Sequence, residues 1–230
     1  MSAQTPRYTV LPPGVEVRAE VERKKSRFLT VMRRAESSQE AQRLVDQLRR
    51  EHHTARHHCS AWLIGPDRRV QRANDDGEPS GTAGAPMLEA LSRAQMPAGG
   101  QDLSDVVAVV VRWFGGTLLG AGGLVSAYSD SVIAALDRAR HEQRFLVRQR
   151  LRRCSLLAPV AEAGRWENEM RGWGVTVLGA DYAQRPGSAV LSLAVPDEAA
   201  ALGQLSTRAA TLSSGSAELQ DEGTEWVDSR

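Results

Sequence analysis

Residues 106–123 read VVAVVVRWFGGTLLGAGG, an apolar strand candidate followed by a basic and aromatic junction and a glycine-rich loop. Because residues 106–111 are apolar at every position, both faces of this strand need cover, and we expect it at the centre of its sheet. After the loop, apolar residues recur at helical spacing from Leu124 to about Arg140, which predicts a helix. The segment therefore predicts a central strand, a glycine-rich loop and a helix, in that order.

The rest of the first half has its own strand and helix signals. Alternating apolar residues predict strands, and Ser37 with Glu40 three positions later predicts a capped helix. The predicted elements are strands at 15–22 and 26–34, a helix from Ser37 to about Glu51, strands at 56–64 and 69–72, and a helix at 86–95.

The second half shows a different and more compact alternation. Its predicted elements are a strand at 148–157, a helix at 160–172, strands at 175–182 and 189–195, a helix at 197–211 and a strand at 216–220. The order β-α-β-β-α-β is that of a ferredoxin-like domain. We therefore predict two domains, 1–144 and 145–230, with a loose tail after Asp221.

Composition excludes few functions. A net charge of +1 does not indicate a nucleic-acid-binding protein, although the chain up to Leu146 has 20 Lys and Arg against 17 Asp and Glu. The absence of a long apolar run or a hydrophobic leader leads us to expect a cytoplasmic protein without membrane contact. The only cysteines, Cys59 and Cys154, fall in different predicted domains, so a disulfide framework is not expected.

Two loops are candidate parts of one site. Residues 74–86, NDDGEPSGTAGAP, consist of turn formers, small residues and three carboxylates, and we expect this loop to meet the loop at 115–123. Backbone N–H groups after a buried strand and before a helix favour an anion, although the glycines are also explained by a tight turn alone. The candidate anion or ligand residues are Arg112, Gly115, Gly116, Gly120, Gly122, Gly123, Asp76, Glu78, Ser80 and Thr82.

Known nucleotide and metal signatures are not matched. Gly115 and Gly120 have P-loop spacing, but the Lys-Ser/Thr that should follow is missing, which disfavours ATP. Gly120-Ala121-Gly122 is not followed by the third glycine of a dinucleotide-binding loop, which disfavours NAD. The carboxylates of Asp75, Asp76 and Glu78 could share Mg²⁺, yet turns of this composition use such groups for local hydrogen bonds. We expect no bound metal and no cofactor.

The histidine and cysteine residues near position 58 do not have zinc-ligand spacing. Cys59 is best explained as a buried small apolar residue, whereas His58, on the face of Trp62, could stack on an RNA base. Lys24, Lys25 and Arg27 could contact phosphates, although a solvated strand edge explains them equally well.

Four motifs together resemble the signature of the YigZ/IMPACT family. They are KKSRF at 24–28, ARHHC at 55–59, DDGEPSGTAG at 75–84 and RWFGGTLLGAGGL at 112–124. The resemblance implies an N-terminal α+β domain of the ribosomal-protein or translocase-like type and a ferredoxin-like domain similar to the last domain of elongation factor G. It also implies a role in regulating translation.

Our leading hypothesis is a cytoplasmic regulator of translation, without catalysis, that binds RNA, the ribosome or a ribosome-associated partner and has no DNA specificity. One alternative is a metal-assisted, hydrolase-like enzyme for a small anionic or phosphorylated substrate, which would use Asp75, Asp76 and Glu78 with Arg112. Another is a protein-interaction module that contacts no nucleic acid and presents Trp113 and Phe114.

Overall fold

The computed structural model describes residues 7–216 and 219–229. These residues form two compact units, one ending at Val147 and the other comprising Arg148–Ser229. Strands and helices occur in both, which confirms the α+β fold class. No helix in the described ranges is long and apolar enough to cross a membrane.

The first unit contains six strands and three helices in the part of the chain that the structure describes. They are β1 (Arg7–Val10), β2 (Glu16–Arg23), β3 (Ser26–Arg34), α1 (Ser38–Glu51), β4 (His57–Ile64), β5 (Val70–Asn74), α2 (Gly84–Ser92), β6 (Val106–Trp113) and α3 (Ala121–His141). The predicted elements are all present. Strand β1, which the sequence analysis missed, is only four residues long, and its Thr9 N–H donates to the Asp102 carbonyl.

Strand β6 is the central strand of the main sheet, as its composition predicts. The antiparallel sheet has the order β2-β3-β6-β4-β5. Alternate side chains of β6 enter two cores: Val106, Ala108 and Val110 pack with α2 and α3, and Val107, Val109 and Val111 pack with α1. A strand covered on both faces cannot tolerate a polar residue until it reaches its end, where Arg112 stands.

Helix α1 begins at the predicted cap. The Ser37 hydroxyl accepts a hydrogen bond from the Glu40 N–H at 3.2 Å. The Glu40 carboxylate accepts from the N–H of Glu36 at 2.8 Å, one residue earlier than the capping box predicts.

The second unit has the predicted ferredoxin-like order of elements. These are β7 (Leu146–Pro159), α4 (Val160–Gly172), β8 (Thr176–Arg185), β9 (Ser188–Pro196), α5 (Ala199–Ser213) and β10 (Leu219–Ser229). Strands β8 and β7 flank β9, and β10 pairs with β7. Side chains such as Leu156, Leu191 and Trp166 form the core between this sheet and the two helices.

The prediction of a loose tail after Asp221 was wrong, because β10 continues to Ser229. Residues 217 and 218 of the predicted last strand lie outside the described residues. Polar pairs between strands explain why hydrophobic alternation did not reveal β10: Arg152 bonds Asp221 at 2.8 Å, and the Ser155 hydroxyl donates to Glu222 at 2.7 Å. A strand stabilised by such pairs shows little apolar periodicity.

Candidate functional site

Strand register brings three predicted motifs to one end of the main sheet. Arg112, near the end of β6, lies opposite Phe28 of β3 on one side and opposite His57 of β4 on the other. The turn between β2 and β3, the start of β4 and the loop after β6 therefore share this sheet end.

The two loops meet there, as the sequence predicts, and line a half-open cavity of about 370 Å³. The first loop contributes Glu78 and Pro79, and the second contributes Phe114 and residues 118–121. Leu124, on the first turn of α3, closes one side. The lining is mainly apolar, with a few polar side chains at the sheet end.

The charged floor of the cavity is an ion pair between Arg112 and Glu78. Their side chains are 6% and 4% exposed, and Nη1 of Arg112 donates to Oε1 of Glu78. The same oxygen accepts from the Tyr128 hydroxyl at 2.7 Å. The sequence predicts a fixed positive charge for an anion at Arg112, but Glu78 neutralises that charge inside the protein.

A buried polar chain extends from this pair into the core. The Sγ atom of Cys59 lies 3.3 Å from the Tyr128 hydroxyl and 3.0 Å from the Asp75 carbonyl oxygen. Burial raises the pKa of the Cys59 thiol and of the Tyr128 hydroxyl. Both groups therefore stay protonated, and Cys59 is a free, buried cysteine, as predicted.

His57 lies between the two loops, and the hydrogen bond at its Nδ1 fixes its tautomer. Nδ1 is 2.9 Å from the carbonyl oxygen of Asp76. A carbonyl only accepts, so Nδ1 carries the proton and the neutral ring has its lone pair on Nε2. Nε2 lies 3.8 Å from Oε1 of Glu78, and His57 lines the cavity.

The carboxylates of the first loop have separate partners. Asp75 accepts from the N–H groups of Gly81, Ala83 and Gly84. Burial acts to raise the pKa of Asp75, but these three donors outweigh it and lower the pKa. Asp76 accepts from Arg49 at 2.6 Å and from the His58 N–H at 2.6 Å.

These carboxylates therefore shape the loop. In the ranges that the structure describes, no group of three or more His, Cys, Asp or Glu residues is placed to hold a metal ion. Thr82 is buried, and its hydroxyl donates to the Pro79 carbonyl at 2.6 Å. Ser80 is exposed, and the described lining of the cavity contains neither Ser80 nor Thr82.

The predicted glycines have different roles. A Cβ atom on Gly115 would overlap the Lys25 carbonyl group, so only glycine allows the loop to pack against the β2–β3 turn. Gly116 and Gly120 have φ values of +88° and +76°, which favour glycine. Of the predicted glycines, Gly120 lines the cavity; Gly122 and Gly123 lie in the first turn of α3.

A basic and aromatic surface flanks the cavity. Lys24, Lys25 and Arg27 are exposed, and the Arg27 guanidinium lies 3.9 Å from the centre of the Trp113 ring. Phe114 is 42% exposed. We call Lys24, Lys25, Arg27, Trp113 and Phe114 the sheet-end surface.

His58 is not part of this surface. It is 5% exposed and packs on the α1 side of the sheet near Asp76, so its ring has no accessible face for stacking on a base. Strand alternation places it on the face of Trp62, and that face is covered by α1.

Sequence reasoning missed the cavity-lining role of His57 and Leu118. The alternation in β4 groups His57 with Cys59 on a core face, but His57 stands at the strand end, where the core opens into the cavity. Leu118 is 81% exposed. An apolar residue within a glycine-rich loop was the sequence signal that could have indicated a cavity-lining side chain.

The two units and the loops that meet beside β6 identify a two-domain α+β protein with a candidate site at one end of a sheet. Residues 24–136 match the model of the Impact N-terminal domain. The chain belongs to the YigZ/IMPACT family.

Named relatives support this assignment. The IMPACT family member YvyE of Bacillus subtilis is 44% identical over 147 residues, which are 64% of this chain and 63% of YvyE. The IMPACT family member YigZ of Escherichia coli is 46% identical over 128 residues, 55% of this chain and 59% of YigZ. The match thus spans less than two thirds of either relative.

A solved structure also resembles the chain over most of its length. It is a crystal structure described as that of a hypothetical protein, 34% identical, with a TM-score of 0.55 and coverage of 93% of this chain and 96% of that one.

Proposed function

We propose that this protein regulates translation by binding single-stranded RNA, free or on the ribosome, through the sheet-end surface. The proposal assigns it no catalytic step. The observation that carries it is the placement of Lys24, Lys25 and Arg27 beside Trp113 and Phe114 at one end of the sheet.

The chemistry of this surface suits an RNA strand. Lysine and arginine side chains contact phosphates and release counterions, while exposed aromatic rings stack on unpaired bases. Trp113 is held in place by Arg27 on one face and by His52 at 5.4 Å in an edge contact. Phe114 is left as the accessible ring for a base.

Fluorescence anisotropy with a labelled single-stranded RNA of about twelve nucleotides tests the proposal. Binding should weaken steeply between about 50 and 200 mM salt. Lys24→Asn with Lys25→Asn should lower the salt slope by about 1 per lysine. Asparagine suits these positions because both lysines have positive φ, 46° and 64°, a region that asparagine tolerates.

The matched control removes the same charge elsewhere. Arg69→Asn with Arg93→Asn alters two exposed arginines, of which Arg69 lies at the opposite end of β4. This variant should keep the wild-type slope. Absence of binding at low salt, or equal loss in both variants, would overturn the proposal.

A protein partner is the second candidate, because Leu118 and Phe114 are exposed apolar residues in one loop. Ribosome binding that persists at high salt, disappears in Leu118→Asp and is unchanged by Lys24→Asn with Lys25→Asn would favour it.

A further inference from the structure

The cavity has the size and the apolar lining of a site for a small ligand. Its volume of about 370 Å³ lies near the lower end of ligand pockets, roughly 300–1,000 Å³. The walls are formed by the apolar side chains of Pro79, Phe114, Leu118, Leu119 and Leu124. Such walls bury the faces of a flat ring, and recognition then depends on its polar edge.

Two hydrogen-bond acceptors are free at the sheet end of the cavity. Oε1 of Glu78 is already occupied by Arg112 and Tyr128, whereas Oε2 accepts no hydrogen bond from the described residues, and the Glu78 side chain lines the cavity. With the proton on Nδ1, Nε2 of His57 is an acceptor, and the His57 side chain is 13% exposed and lines the cavity. The two side chains are neighbours, with 3.8 Å between Nε2 and Oε1.

Two adjacent acceptors select a ring with two adjacent donors. Guanine presents a ring N1–H next to its 2-amino group, whereas the N–H of uracil lies between two carbonyl groups. In adenine and cytosine, the amino group stands beside a ring nitrogen that accepts. The Watson–Crick edge of guanine is therefore the best match among the four bases.

The mouth of the cavity suits the phosphate that accompanies such a base. Arg56 is exposed and lines the cavity. Its guanidinium can approach a phosphate without giving up a buried partner, unlike that of Arg112, which is paired with Glu78.

We propose that this cavity binds a guanine base, with Oε2 of Glu78 and Nε2 of His57 accepting hydrogen bonds from its N1–H and 2-amino groups. The base comes either from bound RNA, in which case the inference rests on the proposed RNA-binding function, or from a free guanine nucleotide.

The first test titrates GMP, IMP and UMP into ¹⁵N-labelled protein and follows backbone amide signals by NMR. IMP differs from GMP only in lacking the 2-amino group. GMP should shift the signals of His57, Glu78 and residues 118–121, and IMP should bind about three- to tenfold more weakly because one hydrogen bond is lost. Equal binding of GMP, IMP and UMP would overturn the proposal.

The second test uses an RNA of uridines with one central guanosine, and the same RNA with inosine at that position. The guanosine RNA should bind about three- to tenfold more tightly. Equal affinities, with GMP no better than IMP, would overturn the guanine site and leave RNA binding through Lys24 and Lys25 intact. Loop shifts with GMP but no RNA binding would keep the site for a free nucleotide and remove the proposed function.

Single substitutions test which side chains give the preference for guanosine over inosine. Glu78→Gln exchanges a carboxylate for an amide of the same shape, and His57→Phe removes Nε2 while retaining a ring. The variant that removes the acceptor of the 2-amino group should reduce the guanosine-to-inosine ratio to below about twofold. The variant that removes the acceptor of N1–H should weaken both RNAs about equally, and Arg69→Asn should change neither affinity. If Glu78→Gln does not fold, His57→Phe and the wild-type comparison still decide. Wild-type affinity for both RNAs in a folded variant would overturn the site.

Discussion

Arg112 and Glu78, 34 residues apart in sequence, form an ion pair that is almost sealed from water and ties the two glycine-rich loops together. Transferring both charges out of water costs free energy that their attraction only partly offsets. Once they are paired, however, removing one partner leaves the other charge buried without a counterion.

We expect Arg112→Ala to lower the free energy of unfolding by about 3–5 kcal/mol, because Glu78 is then unpaired. Glu78→Ala should lower the free energy of unfolding by a similar amount. The double variant should lose clearly less than the sum of the two single losses, because the two side chains interact directly. Urea denaturation of the wild type, the two single variants and the double variant gives the coupling free energy between Arg112 and Glu78. Additive losses would contradict the paired arrangement.

Gly115→Ala should destabilise the first unit by about 1–3 kcal/mol, the usual effect of overpacking. The added Cβ would overlap the Lys25 carbonyl group, and backbone must move. The same displacement should weaken RNA binding, because Lys24 and Lys25 move with the turn. Thermal unfolding and anisotropy measure the two effects.

Gly122→Ala is the matched control. A Cβ there has no described atom within 4 Å, and alanine favours a helix over glycine by roughly 0.5–1 kcal/mol. This variant should be as stable as the wild type or slightly more stable. A loss equal to that of Gly115→Ala would show that the close approach to Lys25 is not the cause.

Cys59 should resist alkylation in the native protein. Its pKa is raised by burial, so little thiolate forms near pH 8, and only the thiolate reacts. Iodoacetamide should modify it at least tenfold more slowly than the exposed thiol of Ser80→Cys, with equal rates after unfolding. Mass spectrometry of the labelled peptides measures both rates, and fast native labelling would contradict the buried thiol.

The free energy of unfolding should fall as the pH drops below about 6.5, the ordinary pKa of a histidine side chain. Burial lowers the pKa of His58, so in this range the unfolded chain binds a proton that the folded chain excludes. The stabilisation is complete above the unfolded pKa and is lost towards the lower folded pKa. Thermal unfolding at several pH values should show a weaker dependence for His58→Gln, with the exposed His53→Gln as control.

Local sequence patterns predicted most elements but not the contacts of the site. The predicted bounds of the helix at 160–172 agree with α4 because its start, its apolar spacing and its glycine end are all local signals. The position of β6 follows from its apolar composition alone. By contrast, β10 pairs with β7 and faces it with polar and charged side chains, which no apolar periodicity reveals.

The site required strand register and loop conformation. The sequence contains Glu78 and Arg112, yet only the antiparallel pairing of β4 with β6 shows that they face each other beside His57. The same pairing directs His58 towards α1 and away from solvent. Three carboxylates within four residues could have formed one metal site; the backbone donors of Gly81, Ala83 and Gly84 instead take one of them.

The central position of β6 has a consequence for how the chain is made. Strands β3 and β4 both pair with β6 and lie on opposite sides of it, so a nascent chain that has emerged only as far as β5 holds two hairpins with unpaired inner edges. Such edges invite association with other strands. Emergence of residues 106–113 closes both hairpins into one sheet and, in the same step, brings Arg112 to Glu78, so the site cannot form before the sheet does.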